Sequence, residues 1–229
     1  MIKISSRKTI IIALFILGLF SVSIGQTKKI DINALIEETQ KKSEAPDEMT
    51  LIWWIPEAFW KVNFEQDGEI TPKQAEDFMK ILRPYNVLVV IDGKIGTFGT
   101  ITYKTETTVR SNIQIIDGQG NAYRPLTDDK VSSEAKTMLS MMKPILVNML
   151  GPLGQNMHFV LFPSKNTKSE DIINVTKEGS FLVKLDNREF KWRFPLGSLL
   201  ARKVCPVDGE MYNGAWKFCP WHGNELKNQ

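Results

Sequence analysis

Cysteine, aspartate and histidine recur near the C-terminus at a spacing suited to a metal ion. Cys205-Pro206-Val207-Asp208-Gly209 returns 14 residues on as Cys219-Pro220-Trp221-His222-Gly223. Each copy carries a ligand type at its first and fourth positions, C-x2-D and then C-x2-H. Two ligands three positions apart on a tight turn can face one ion, while backbone amides point at the first sulfur. Glycine after the second ligand permits the left-handed turn that closes such a knuckle. Cys205, Asp208, Cys219 and His222 therefore make the candidate metal set. Four protein ligands leave no open coordination position, so a metal held there would be structural.

The duplicated segment resembles a zinc ribbon, whose halves ordinarily read CPxCG. Cys205 and Cys219 match ligand positions of that family directly, whereas Asp208 and His222 stand where it has cysteine. Both residue types bind Zn²⁺, so the resemblance, covering about a tenth of the chain, implies a small hairpin closed by structural zinc. Two other readings fit the same residues. Outside the cytoplasm, Cys205 and Cys219 can form a disulfide. Alternatively, the hairpin is metal-free and held by Trp216, Phe218 and Trp221.

Other combinations carry weaker signals. Trp53, Trp54, Phe59 and Trp60 crowd a short stretch beside prolines, LIWWIPEAFW, and are the candidate partner-binding surface. Against that, Trp53 and Trp54 are neighbours in a strand pattern and can pack on its opposite faces. Asn63-x-Glu65-x-Asp67-Gly68 imitates a calcium loop, but its twelfth position is Gln74 where a bidentate glutamate is needed. Met138, Met141, Met142 and Met149 suit a soft ion such as Cu(I), as in a periplasmic metal-handling protein, yet a helical core accounts for most of them. His158 alternates with Val160 and Phe162 and reads as a hydrogen-bonded core histidine. Asp92, Asp117 and Asp129 are the loop carboxylates on which a secreted hydrolase would draw. Asn174-Val175-Thr176 is an acceptor sequon for a glycosylating pathway.

Several elements must position these groups. Thr71, Pro72 and Gln74 supply an N-cap, a first-turn proline and a capping box for a helix running to Leu82. Val87 to Ile91 is a continuous apolar run, predicting a strand covered on both faces, and Asp92-Gly93-Lys94 predicts a turn after it. Alternation over Thr107 to Ile116 predicts another strand. Ser133 to Leu150 predicts a helix with Ala135, Met138, Leu139, Met142, Ile145, Leu146 and Met149 inward, kinked at Pro144 and ended by Gly151-Pro152. Met157 to Phe162 predicts a buried strand. A two-residue Asp186-Asn187 loop sets Leu185 opposite Arg188, Val183 opposite Phe190 and Phe181 opposite Trp192, with Lys184 facing Glu189. Six to eight strands with hairpin links and three to four helices predict an α+β fold. Its body is an antiparallel sheet or β-sandwich, followed by the small C-terminal ribbon-like hairpin.

Residues 1–25 read as a secretory signal peptide. Lys3, Arg7 and Lys8 precede the apolar Ile10 to Phe20, and Ser23 and Gly25 are the small residues before a cut. An uncleaved anchor is the alternative, but 16 residues from Thr9 to Ile24 fall short of the roughly 20 of a spanning helix. Cleavage leaves no membrane span and places the chain in the periplasm or outside the cell. Residues 26–50 read as a polar arm or linker with one short helix, 51–200 as the body and 201–229 as the ribbon-like module. The 229 residues are 42% hydrophobic and 24% charged, which excludes disordered and collagen-like classes, and two cysteines exclude a disulfide-dense scaffold. Beyond the leader, 26 basic residues balance 26 acidic ones, so nothing favours nucleic acid. With no catalytic constellation, the reading is an exported non-catalytic protein that binds another protein or an envelope component.

Overall fold

The structure, a computed structural model, describes residues 30–228. The candidate signal peptide lies outside the described residues. Helix α1 (Ile32–Thr39) is capped by Asp31, whose side chain accepts from the amides of Asn33 and Ala34. It runs directly into β1 (Gln40–Lys42), which pairs antiparallel with β2 (Glu48–Ile55). This segment is part of the body rather than an arm or linker. Leu35 is fully buried, the Thr39 hydroxyl accepts from Trp53 Nε1, and the Thr39 carbonyl accepts from Trp192 Nε1.

Helices α2 (Glu57–Asp67) and α3 (Pro72–Leu82) follow, the latter with the expected Thr71–Gln74 capping box. The calcium-loop reading fails here, because Asn63 to Asp67 are helical and Gln74 is spent on the cap. Strand β3 (Tyr85–Ile95) is the centre of the first sheet. It pairs with β2 along one edge. Its other edge is shared by β4 (Ile101–Tyr103) and, further along the chain, Pro163 to His158. Val87 to Ile91 are buried throughout, as a strand covered on both faces requires. The chain does not turn at Asp92-Gly93-Lys94. Asp92 is buried against the second sheet, and Gly93 admits β4 so closely that a Cβ there would lie 3.0 Å from Ile101 and 3.1 Å from the Thr102 carbonyl. The turn comes later, at Gly96 to Gly99.

The predicted strand over Thr107 to Ile116 is only half strand. Thr105 caps α4 (Glu106–Asn112) by accepting from the Thr108 amide, and β5 (Ile113–Ile116) begins after it. Val109 was the sole apolar residue in the first half of that pattern, too few to separate a period of two from one of 3.6. After β6 (Ala122–Tyr123) comes α5 (Ser133–Leu150), capped by Ser132 and containing Pro144. Ala135, Leu139 and Leu146 are buried as predicted, whereas Ile145 and Met149 are exposed. The apolar arc of α5 is wider than the strip its neighbours cover.

Strand β7 (His158–Pro163) completes the first sheet. Strands β8 (Gly179–Leu185) and β9 (Arg188–Phe194) adopt the predicted register pair for pair, with the Phe181 and Trp192 rings stacked 4.8 Å apart. The second sheet runs β6-β5-β8-β9, entirely antiparallel. It covers one face of the first sheet, where Trp54 meets Phe181 at 5.2 Å and Phe194 at 5.6 Å, edge to face. Trp53 points the other way, onto Phe59 of α2 at 5.1 Å. The fold is therefore α+β. A third, small sheet of β10 (Lys203–Val204), β11 (Met211–Tyr212) and β12 (Lys227–Asn228) forms the C-terminal module. Among the described residues, no helix is long and apolar enough to cross a membrane.

Candidate metal centre

Strand β10 delivers Cys205 into a turn closed by Gly209, which has a φ of 76° and whose amide donates to the Cys205 carbonyl at 2.9 Å. The Cys205 amide donates in turn to the Glu210 carbonyl at 2.9 Å. The second copy repeats the circuit. Gly223 has a φ of 66°, its amide donates to Cys219 at 2.9 Å, and the Cys219 amide donates to Asn224 at 2.8 Å. The amides of Val207 and Asp208 face the Cys205 sulfur, and those of Trp221 and His222 face the Cys219 sulfur. The sequence duplication is thus a duplication of backbone geometry, with glycine where the left-handed φ requires it.

The two knuckles bring Cys205, Cys219 and His222 close enough to hold a metal ion, their ligand atoms lying within 4.8 Å of one another. His222 Nδ1 stands 3.4 Å from Cys205 Sγ and 3.6 Å from Cys219 Sγ. Asp208 reaches the same nitrogen with Oδ2 at 3.5 Å, while its Oδ1 accepts from the Glu210 amide at 2.9 Å. That amide is the main reason the Asp208 carboxyl sits below its ordinary range. Burial pushes both thiols up. At Cys205 burial prevails, whereas at Cys219 the His222 amide, the Tyr212 hydroxyl and the Trp221 amide outweigh it and bring the thiol down to about 7. Both cysteines are free thiols.

Little else holds the module together internally. Its buried cluster is Cys205, Cys219 and Leu226, with Tyr212 against them. Trp216, Phe218 and Trp221, the rings that would hold a metal-free hairpin, are exposed, Trp216 stacking on Tyr212 at 5.9 Å. The module is fastened to the body through Glu38 of α1. Its carboxylate holds the turn just before the module, accepting from the Gly197 amide at 2.8 Å, the Ser198 amide at 2.9 Å and the Ser198 hydroxyl at 2.6 Å. It reaches the module itself through Asn213 Nδ2 at 3.4 Å, while Arg202 approaches Asp31 at 3.9 Å.

The other candidate sites disperse. Trp53, Trp54, Phe59 and Trp60 are all buried and are core, not a binding surface, because helices cover one face of β2 and the second sheet covers the other. Asp117 ties its own turn, accepting from Gln119, Asn121 and Tyr123. Asp129 is exposed in a short 3₁₀ turn. Asp92 is consumed in ion pairs. None of these three acids lines the cleft of about 330 Å³ at the end of the first sheet, whose own acids, Glu57 and Asp171, pair with Arg83 and Lys165. His158 is half-buried with Nε2 3.1 Å from the Lys104 carbonyl. The methionines of α5 divide between the inner side (Met138, Met142) and the outer one (Met141, Met149).

Sequence reasoning missed one constellation. Asp92, on β3, accepts from Arg188 of β9 at 3.0 and 2.9 Å, from Thr50 at 2.8 Å and from Lys104 at 2.8 Å. Asp186 and Glu48 surround the two cations. This clasp joins the two sheets across long sequence separations, and no local pattern announces it. Comparison with protein-family models, curated proteins and solved structures gives no significant match, and the chemistry rests on the geometry above.

Proposed function

We propose that this chain is an exported, non-catalytic protein that binds a partner or serves structurally in the envelope, and that zinc closes its C-terminal module as in a zinc ribbon. One observation carries the zinc reading: thiol and imidazole ligands converge in a module whose buried cluster otherwise consists of Leu226 and part of Tyr212. So small a core does not offset the conformational entropy of ordering such a segment, and a metal commonly does. Zinc bonds of about 2.3 Å to sulfur and about 2.0 Å to nitrogen or oxygen, arranged tetrahedrally, separate ligand atoms by about 3.3–3.8 Å. The separations of 3.4, 3.6 and 3.5 Å around His222 Nδ1 agree with that spacing. Cys205 Sγ, Cys219 Sγ and His222 Nδ1 would then supply three ligands. A small rotation of Asp208, which stands outside their cluster but 3.5 Å from His222, would supply the fourth and leave zinc a structural role. The basic and apolar pattern of residues 1–25 supports export. Asp92 and Asp117 are tied up in separate places, and the two acids that share the cleft, Glu57 and Asp171, are paired with Arg83 and Lys165, which supports the non-catalytic reading over a hydrolase.

Elemental analysis of the purified mature protein, with a free-thiol count under denaturing, chelating conditions, tests the metal. The expected result is one zinc per chain and two titratable thiols. A chain with no metal and no free thiol carries a Cys205–Cys219 disulfide instead, and the zinc reading is then abandoned.

A further inference from the structure

Trp54 is 2% exposed, and its indole Nε1 is, among the described residues, the one buried side-chain polar atom without a hydrogen-bond partner. Buried N–H groups almost always have one, so the exception asks for an explanation. Trp53 and Trp192 in the same core both donate to Thr39. Trp54 also lines the cleft of about 330 Å³ at the end of the first sheet. The deep walls of that cleft are Trp54, Ile55, Trp60 and Leu82, all buried. Its rim carries the half-exposed Arg83 and Lys165, paired with Glu57 at 2.6 Å and with Asp171 at 3.3 Å.

We propose that this cleft binds an uncharged small molecule, an apolar body of up to two rings bearing a carbonyl that accepts from Trp54 Nε1. Each part of that description answers a feature of the cleft. An unmet donor in an apolar wall calls for an acceptor, and a carbonyl supplies one without adding a donor that the wall cannot satisfy. Indole and aliphatic walls favour an apolar body, and the volume is about twice that of a cavity of about 150 Å³ that takes up benzene. The cations and carboxylates of the rim already match each other, so a charged group carried inward would arrive unpaired. Solvent does not reach the nitrogen, so a ligand oxygen meets it only as the indole turns towards the cleft, and the signal of that N–H reports the event. Binding here draws on the two-sheet body alone. Neither zinc nor export enters the test, and its failure leaves both readings standing.

The test is titration of the ¹⁵N-labelled mature chain, followed by nuclear magnetic resonance through its six tryptophan indole N–H signals. The Trp54 signal is assigned by its absence from Trp54→Phe or, if that variant does not fold, by its Overhauser contacts to Phe181 and Phe194. Three probes of similar size are compared: acetophenone, ethylbenzene, which lacks the carbonyl, and benzoate, which is charged. Acetophenone is expected to shift the Trp54 signal downfield and saturably. It is expected to bind at least about tenfold more tightly than either of the others, the worth of one hydrogen bond. Ala58→Phe, which fills the cleft from α2, is expected to abolish the shift while the other indole signals keep their positions. Val175→Phe serves in its place if Ala58→Phe does not fold. Absence of a saturable shift up to the solubility of acetophenone overturns the proposal and leaves the Trp54 N–H against an aromatic ring or a trapped water. Ethylbenzene binding as tightly as acetophenone overturns it by removing the carbonyl from recognition. Benzoate binding as tightly does so by removing the selection of neutral ligands, and a shift that survives the filled cleft does so by placing the probe elsewhere.

Discussion

Asp92 shows how a charge survives between two sheets. Its side chain is 1% exposed, and burial works to raise its carboxyl. Arg188, Lys104 and Thr50 nevertheless hold it below the ordinary range, Arg188 through a bidentate pair. Removing such a carboxylate leaves Arg188 and Lys104 with only the more exposed Glu48 and Asp186, so Asp92→Ala is expected to cost about 3 kcal/mol in urea denaturation, the low end for breaking a buried pair. A carboxylate with a depressed folded pKa contributes stability above its unfolded value of about 3.9 and loses it as the pH falls through the folded value. Parent stability should accordingly hold from neutral pH down to about 5 on this account and fall in more acid solution. Asp92→Asn should show a shallower acid decline, and an unchanged slope would remove Asp92 from the acid response.

At the scale of elements, the question is how far the C-terminal module folds separately from the sheets. Its internal cluster is small, and the side-chain bonds that reach the body from it are few, among them Asn213 to Glu38 at 3.4 Å and Arg202 to Asp31 at 3.9 Å. Gly197 is required there, since a Cβ would stand 1.5 Å from Asn213 Oδ1. Cys219→Ser removes a ligand without touching this fastening. Calorimetry of that variant should retain the main cooperative transition, and hydrogen exchange should rise in residues 203–228 alone. Loss of the main transition would mean that the module and the sandwich fold as one unit.

Taken whole, the molecule is a two-sheet sandwich with helices outside it, a metal-ligand module at one anchored end, and charges that cancel beyond residue 25. The basic charge excess lies in the first 25 residues, so export would also neutralise the chain. Mass spectrometry of the protein expressed from the full coding sequence and recovered outside the cytoplasm should give a chain beginning at Gln26. A cytoplasmic product retaining residues 1–25 would contradict export and would return the cysteines to a reducing compartment.

Much of this was legible in one dimension where the deciding contacts are local. The Asp186-Asn187 turn and its alternating flanks specified the β8–β9 register, Thr71 and Gln74 marked the start of α3, and Val87 to Ile91 announced the central strand. The knuckles were readable for the same reason, since each brings its ligands together within five residues. Only tertiary structure decided the rest. It buried both Trp53 and Trp54, because different layers cover the two faces of β2. It covered one side of the apolar arc of α5 and left Ile145 and Met149 outside. It also joined Asp92 to Arg188 across 96 residues, a pairing set by how two sheets stack and by no periodicity along the chain.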